Sequence, residues 1–242
     1  MQLISGVHHA GQVLDLFTKG DWEWGAADVG RRLAMSRAHA HRLLSTLAEI
    51  GLLDRVESSG RFRLSWTWFH YGGVIRATDP LIASSVPILR QIRARYGLET
   101  MLAVWRGGAM HGFSPDATQT AVHRQRSVCI ALSVVLIAGL AEDELATHLA
   151  SDPNAAWFPP PAELNEMIRE VREGGLLARP EPGDVDGGWL ATPIMDDDRI
   201  VAALGVYTRN ARCSDGESAA TALKKAAAAL TTSLHRDRPS AA

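Results

Sequence analysis

The chain has little that would cross-link it and little that would anchor it in a bilayer. Its 242 residues include two cysteines, Cys129 and Cys213, whose spacing makes neither a disulfide framework nor a zinc pattern. Both are read as reduced thiols. The longest apolar run, Val128 to Leu140, is too short to span a membrane and is broken by Ser133 and Gly139. The opening MQLISGVHHAGQVLDLF lacks a basic region followed by a long apolar core, so it does not read as a signal peptide. A cytoplasmic protein with no membrane partner is expected. The net charge of −2 shows no overall basic excess, so any nucleic-acid surface must be local. Catalytic patterns are missing too. No nucleophile elbow is visible, and Cys129 reads as a small hydrophobe. His39 and His41 stand two apart and diverge on a helix, a poor metal clamp. The carboxylates of DWEWG and Asp196 to Asp198 lack the setting that tunes acid–base pairs. Neither an enzyme nor a metal or cofactor site is expected.

What is present has ordinary globular proportions, 46% apolar and 21% charged, with length for one large or two modest domains. The chain is organised around Ala34 to Gly51, AMSRAHAHRLLSTLAEIG. On a helical projection Ala40, Leu43, Leu44 and Leu47 share one narrow sector. Ala38, Arg42 and Ser45 lie opposite, flanked by His39 and His41. Ser36 is placed to cap the N-terminus, and Gly51 to follow the C-terminus. A face of small, donor-rich side chains opposite an apolar back fits a DNA recognition helix. From Arg31 to Ser65 there are seven arginines and three acids, a net +4 in this stretch. The local excess coincides with that helix.

The preceding segments support this reading. Val7 to Lys19 is a helix closed by Gly20, and Trp22 and Trp24 fall in a loop. Ala26 to Ala34 is a short helix separated by a residue or two from the recognition helix, a helix-turn-helix spacing. Leu52 to Val56 and Arg61 to Leu64 flank ESSG, a hairpin turn signal. Arg31, Arg32, Arg61 and Arg63 are assigned to phosphates. Ser36, Arg37, His39, His41, Arg42 and Ser45 are assigned to the groove, with Arg42 foremost. Trp66 to Thr78 reads as an aromatic linker helix whose exposed rings call for a second copy of the chain. Asp79-Pro80 opens a helix to Tyr96, with Ile82, Val86, Leu89 and Ile92 inward.

From Leu98 onward strands and helices alternate. Strands are expected at Thr100 to Trp105 and Ala109 to Ser114 about a Gly107-Gly108 turn, then a polar loop from Pro115 to Arg126. A buried helix follows over Val128 to Leu140, with a short one over Glu142 to Ala150 and another over Ala162 to Glu173. Three further strands, Leu176 to Ala178, Gly188 to Met195 and Ile200 to Tyr207, precede a terminal helix over Ser214 to His235. The fold class is α+β with an antiparallel sheet.

LAMSRAHAHRLLSTLAEIGLLDRVESSGRFRLS resembles the DNA-binding domain of the isocitrate lyase regulator (IclR) family of bacterial transcription factors. ALSVVLIAGL, followed later by GGWLATPIMDDDRIVAALGVY, resembles that family's effector-binding domain. The resemblance implies a winged helix-turn-helix over residues 1–65, a dimerising linker helix over 66–79 and a GAF-like effector domain over 80–242. It implies a repressor working on double-stranded operator DNA as a homodimer or dimer of dimers, released or recruited by a small organic acid. Two departures stand out. Ala38-His39 replaces an early Ser-Thr pair, and Trp189 and Tyr207 stand where the family commonly has Cys and Ser.

The resemblance also places the effector before the buried helix that begins near Cys129, Ile130, Ala131 and Leu132, where free backbone N–H groups suit a carboxylate. Met101, Ala103, Phe113, Trp189, Ala191 and Tyr207 are expected around it. Two aromatics in place of small polar groups suit a flat ring such as a hydroxybenzoate. If Trp189 merely fills the space, the alternatives are a small aliphatic keto-acid or an effector-independent DNA-binding dimer.

Overall fold

The computed structural model describes residues 4–18, 21–106, 109–115, 129–151, 158–180, 187–208 and 214–236. They fall into two compact units, Met1–Thr78 and Asp79–Ala242.

The first unit is built on α1 (Ser5–Leu16), α2 (Ala26–Arg32) and α3 (Arg37–Glu49), followed by β1 (Leu53–Arg55), β2 (Phe62–Leu64) and α4 (Thr67–Thr78). Val13, Leu16 and Phe17 meet Val29 of α2, Ala40, Leu44 and Leu47 of α3, and Leu53 and Phe62 of the hairpin in one core. Helix α3 is bracketed at both ends. Ser36 Oγ accepts from the His39 backbone N–H at 3.2 Å, satisfying a donor that the first turn leaves unpaired. At the other end Gly51 takes φ +79°. Its N–H donates to Ala48 O at 3.0 Å while Leu52 N–H donates to Leu47 O at 2.8 Å, the pair of bonds of a Schellman motif.

Helix α2 ends two residues earlier than the sequence suggests, and the turn to α3 spans four residues rather than one or two. Ala34 enters the left-handed region at φ +53° and Met35 N–H closes back on Gly30 O at 3.0 Å. An alanine thus does the work of a terminating glycine, which its pattern in the sequence does not announce. Gly30 itself is required by the close turn, since a Cβ there would lie 2.9 Å from Met35 O. Trp24, expected in a loop, exchanges two 2.9 Å backbone bonds with Phe62. It adds a third, one-residue strand to the β1–β2 hairpin. Lys19 and Gly20 lie outside the described residues.

The second unit has a five-stranded sheet in the order β4-β3-β7-β6-β5, every pair antiparallel. Its strands are β3 (Glu99–Arg106), β4 (Ala109–Phe113), β5 (Leu177–Pro180), β6 (Gly188–Asp196) and β7 (Arg199–Thr208). Its helices are α5 (Pro80–Tyr96), α6 (Cys129–Ile137), α7 (Glu142–Ser151), α8 (Pro161–Gly174) and α9 (Ser214–Arg236). Successive strand residues alternate between faces. Met101, Ala103, Trp189, Ala191, Ala203 and Tyr207 pack under α6 and α8. Leu102, Leu190, Leu204 and Val206 pack under α5 and α9. This is the antiparallel α+β arrangement expected from the sequence, with helices on both faces. Helix α5 begins where Asp79 Oδ1 accepts from Ile82 N–H at 3.0 Å and ends at Gly97, φ +65°. Its fully buried stripe is Leu81, Ser85, Leu89 and Ile92, so Ile82 and Val86 are half-buried flanks rather than its centre.

Helix α6 is buried without a break from Ala131 to Ala138. Gly205 of β7 lets it lie close to the sheet: a Cβ there would stand 2.8 Å from Leu132 Cδ2 and 3.2 Å from Trp189 Cε3. At its C-terminal end, Arg172 of α8 donates from Nε to Ala138 O at 2.9 Å and from a guanidinium nitrogen to Leu140 O at 3.0 Å. A cation there satisfies carbonyls that the helix leaves unpaired. The Gly107-Gly108 turn, Val128 and nearly all of the polar loop from Pro115 to Arg126 lie outside the described residues.

Replacing Ala34 by glycine should stabilise the protein by about 0.5 kcal/mol. The left-handed penalty of about 1 kcal/mol is removed, less the entropy that glycine adds to the unfolded chain. Urea unfolding of the full chain measures this; a loss of stability would mean that the turn is not strained.

Candidate nucleic-acid interface and effector site

The bracketed helix α3 turns Ala40, Leu44 and Leu47 into the core. This leaves Arg37, Ala38, His41 and Arg42 exposed and Ser45 half-exposed on its other side. Of the six groove candidates, Arg37, His41, Arg42 and Ser45 therefore share an accessible surface. His41 Nδ1 lies 3.5 Å from Ser45 Oγ one turn away. Ser36 is at the start of the helix, but its hydroxyl is already the cap. His39 is the misfit: it is half-buried, its Nε2 is shut off from solvent, and its ring meets His9 of α1 edge-on at 5.5 Å. It faces the neighbouring helix. On the projection it lies at the margin of the polar face, and sequence alone could not reveal that α1 covers that margin.

The four cations assigned to phosphates also divide. Arg61, on the wing, is turned back into the unit. It forms an ion pair with Asp28 at 2.8 Å and donates from Nε and a terminal nitrogen to Glu23 O at 3.3 and 3.0 Å. Arg31 shares the same carboxylate. Arg63 remains exposed, with Asp54 at 3.8 Å. Among the described residues Arg32, Arg37 and Arg42 form no ion pair, and Arg55 of β1, which the sequence reading passed over, is likewise exposed and without one. Arg61 thus fastens the wing while the other arginines supply most of the accessible positive charge.

In the second unit, Met101, Ala103, Ala131, Leu132, Trp189, Ala191 and Tyr207 belong to one cluster, with Ile130 packed at its edge. Trp189 and Tyr207 are direct cross-strand partners. Their rings lie 5.5 Å apart, tilted by 56°, and both are more than nine-tenths buried. Cys129 opens α6, but its side chain is outside the described residues. Phe113 is a correction. It pairs directly with Leu102 and packs in the cluster beneath α5 and α9, on the opposite face of the sheet. Direct cross-strand partners share a face, and the register that puts Phe113 opposite Leu102 cannot be read from the strand alone. The β4 residue that does face α6 is Met110, whose sulfur accepts from Ser133 Oγ at 3.2 Å. Beyond it an open cleft of about 350 Å³ is lined by Trp105, Leu140, Asp143, Glu144, Thr147 and His148. None of these was singled out in the sequence.

No described helix is long and apolar enough to cross a membrane. The described residues hold no group of three metal-binding side chains.

Comparison with known proteins bears on both units. Residues 6–57 match the model of the IclR helix-turn-helix domain. The HTH-type transcriptional regulator XynR of Escherichia coli is 26% identical over 97% of this chain and 98% of its own. An IclR-type regulator from a Silicibacter species superposes with a TM-score of 0.78 at 24% identity, covering 98% of both chains. An IclR homologue from Microbacterium hydrocarbonoxydans, solved in complex with 4-hydroxybenzoate, superposes with a TM-score of 0.73 at 20% identity, covering 96% of this chain and 100% of that one. At those identities the two structures establish the fold.

Because Arg61 holds the wing to the body, Arg61→Ala should cost about 1–2 kcal/mol of stability, allowing for partial exposure of the pair. Arg63→Ala should stay within about 0.5 kcal/mol. Urea unfolding of the two variants side by side checks this, and equal losses would show that Arg61 has no anchoring role.

Proposed function

We propose that this chain, which belongs to the IclR family of DNA-binding transcriptional regulators, is an effector-gated repressor of a catabolic operon. In this reading it works in the cytoplasm and senses a small organic acid, with a hydroxybenzoate the foremost candidate. The carrying observation for DNA is α3: one face is locked into a core and the other presents Arg37, His41, Arg42 and Ser45. Such a helix can enter a major groove, where Arg42 can meet a guanine edge or a phosphate. Arg32, Arg55 and Arg63 are the proposed backbone contacts.

Helix α4 has no buried residue and exposes Trp66 at its start, then Phe69, Tyr71, Val74 and Ile75. An exposed apolar surface of that extent supports pairing with a second copy. A dimer would set two recognition helices one helical turn of DNA apart, about 34 Å. The proposed domain limits, 1–65, 66–79 and 80–242, follow this division of labour.

For the effector, support comes from the first turn of α6, whose Leu132 shares a core cluster with Trp189 and Tyr207 and borders Gly205 as Trp189 does. Unpaired N–H groups at a helix start favour a carboxylate, and flat aromatic walls favour a ring. The 4-hydroxybenzoate complex of the Microbacterium relative is consistent with this. Ligand binding would shift the balance between two dimer geometries and so the spacing of the heads. One observation favours a second reading: Trp189 and Tyr207 are 5% and 7% exposed within a packed core. That suits a smaller aliphatic keto-acid, or no effector.

A thermal-shift panel separates these readings. A ligand that binds only the native state adds about 2.7 kcal/mol at 100 times its Kd, a rise of several degrees. 4-Hydroxybenzoate is expected to produce it, and pyruvate and glyoxylate are not. The reverse result would replace the aromatic reading with the aliphatic one, and no shift with any would favour an effector-independent regulator.

A further inference from the structure

The His39 that leaves the groove surface sits in a distinctive place. Its Nδ1 lies 3.4 Å from a terminal nitrogen of Arg42. A guanidinium can only donate, so Nδ1 is the acceptor in this contact. The ring's Nε2 is buried and has no hydrogen-bond partner, and the same holds for Nδ1 of His9. The two rings cross at 84° with centroids 5.5 Å apart, one presenting its edge to the other's face. His8 follows His9 at 6.1 Å. A metal ion does not suit this seam, because a guanidinium adjoins it.

We infer that His39 is a positioning residue: braced against His9 of α1, its ring holds the Arg42 guanidinium in the orientation that reads DNA. The inference rests on the proposed role of Arg42 in the groove.

The test uses the full chain and a duplex enriched by the wild-type protein from a random-sequence library, with poly(dI-dC) as the non-specific reference. At about pH 7.5, His39→Ala should weaken the enriched duplex about tenfold or more and leave poly(dI-dC) binding nearly unchanged. The same substitution in an Arg42→Ala background should add little, because the two side chains act as one unit. His39→Asn, whose amide oxygen can stand in for Nδ1, should restore most of the affinity.

Additive effects of His39→Ala and Arg42→Ala would overturn the inference, as would a failure of His39→Asn to restore affinity for the enriched duplex. If His39→Ala unfolds the domain, His39→Leu, which fills the space of the ring without offering an acceptor, replaces it in the cycle with Arg42→Ala. If Arg42→Ala binds the enriched duplex like the wild type, the role of Arg42 fails first and the inference with it. An inability of the wild-type protein to enrich any sequence would remove the DNA reading itself.

Discussion

The N-terminal unit depends on a single packing constraint: α3 can be seated only with Ala40, Leu44 and Leu47 against α1, α2 and the hairpin. Ala40 is fully buried, where a larger side chain would hold the helix away from its neighbours. Burial of these side chains sets the rotation of the helix about its axis, and so decides which residues reach outward. The Ser36 cap and the Gly51 terminus then fix where the helix starts and stops. Trp24 and Arg61 tie the wing to the same body from two directions, by backbone pairing and by charge. The polar surface is thus held by the shape of the core beneath it.

The C-terminal unit follows the same logic through a sheet. Period-two alternation assigns one set of side chains to α6 and α8 and the other to α5 and α9, and the antiparallel register locks that assignment. Gly205 leaves out a side chain that would press on Leu132 of α6. The apolar helix therefore comes to rest on an aromatic pair that fills the face next to its first turn. A site built from these parts is tightly packed where the described residues meet, with an open cleft beside it at Trp105 and α7.

Much of this was legible in the sequence where a residue type has one physical use. The Ser36 cap, the Gly51 terminus, the hairpin about ESSG, the Asp79-Pro80 start and the burial of the ALSVVLIAGL helix all follow from local chemistry. What escaped was set by contacts distant in sequence. Trp24 finds Phe62, and Arg61 finds Asp28 and Glu23, only when the hairpin folds over α2. Phe113 takes its face from its pairing with Leu102, and His39 takes its neighbour from α1. Ala34 escaped for a different reason: a left-handed alanine leaves no mark in a pattern where glycine is the expected sign.

The shared carboxylate of Asp28 has a consequence for the charge of this face. The stretch from Arg31 to Ser65 carries seven arginines, yet Asp28, just outside it, engages two of them and Asp54 stands near a third. The counterions a polyelectrolyte sheds on association follow the cations that reach its phosphates, not the cations present in the chain. The unit therefore carries an internal salt that discharges part of its own surface. Its attraction for any anionic polymer is weaker, and less dependent on ionic strength, than its arginine content implies.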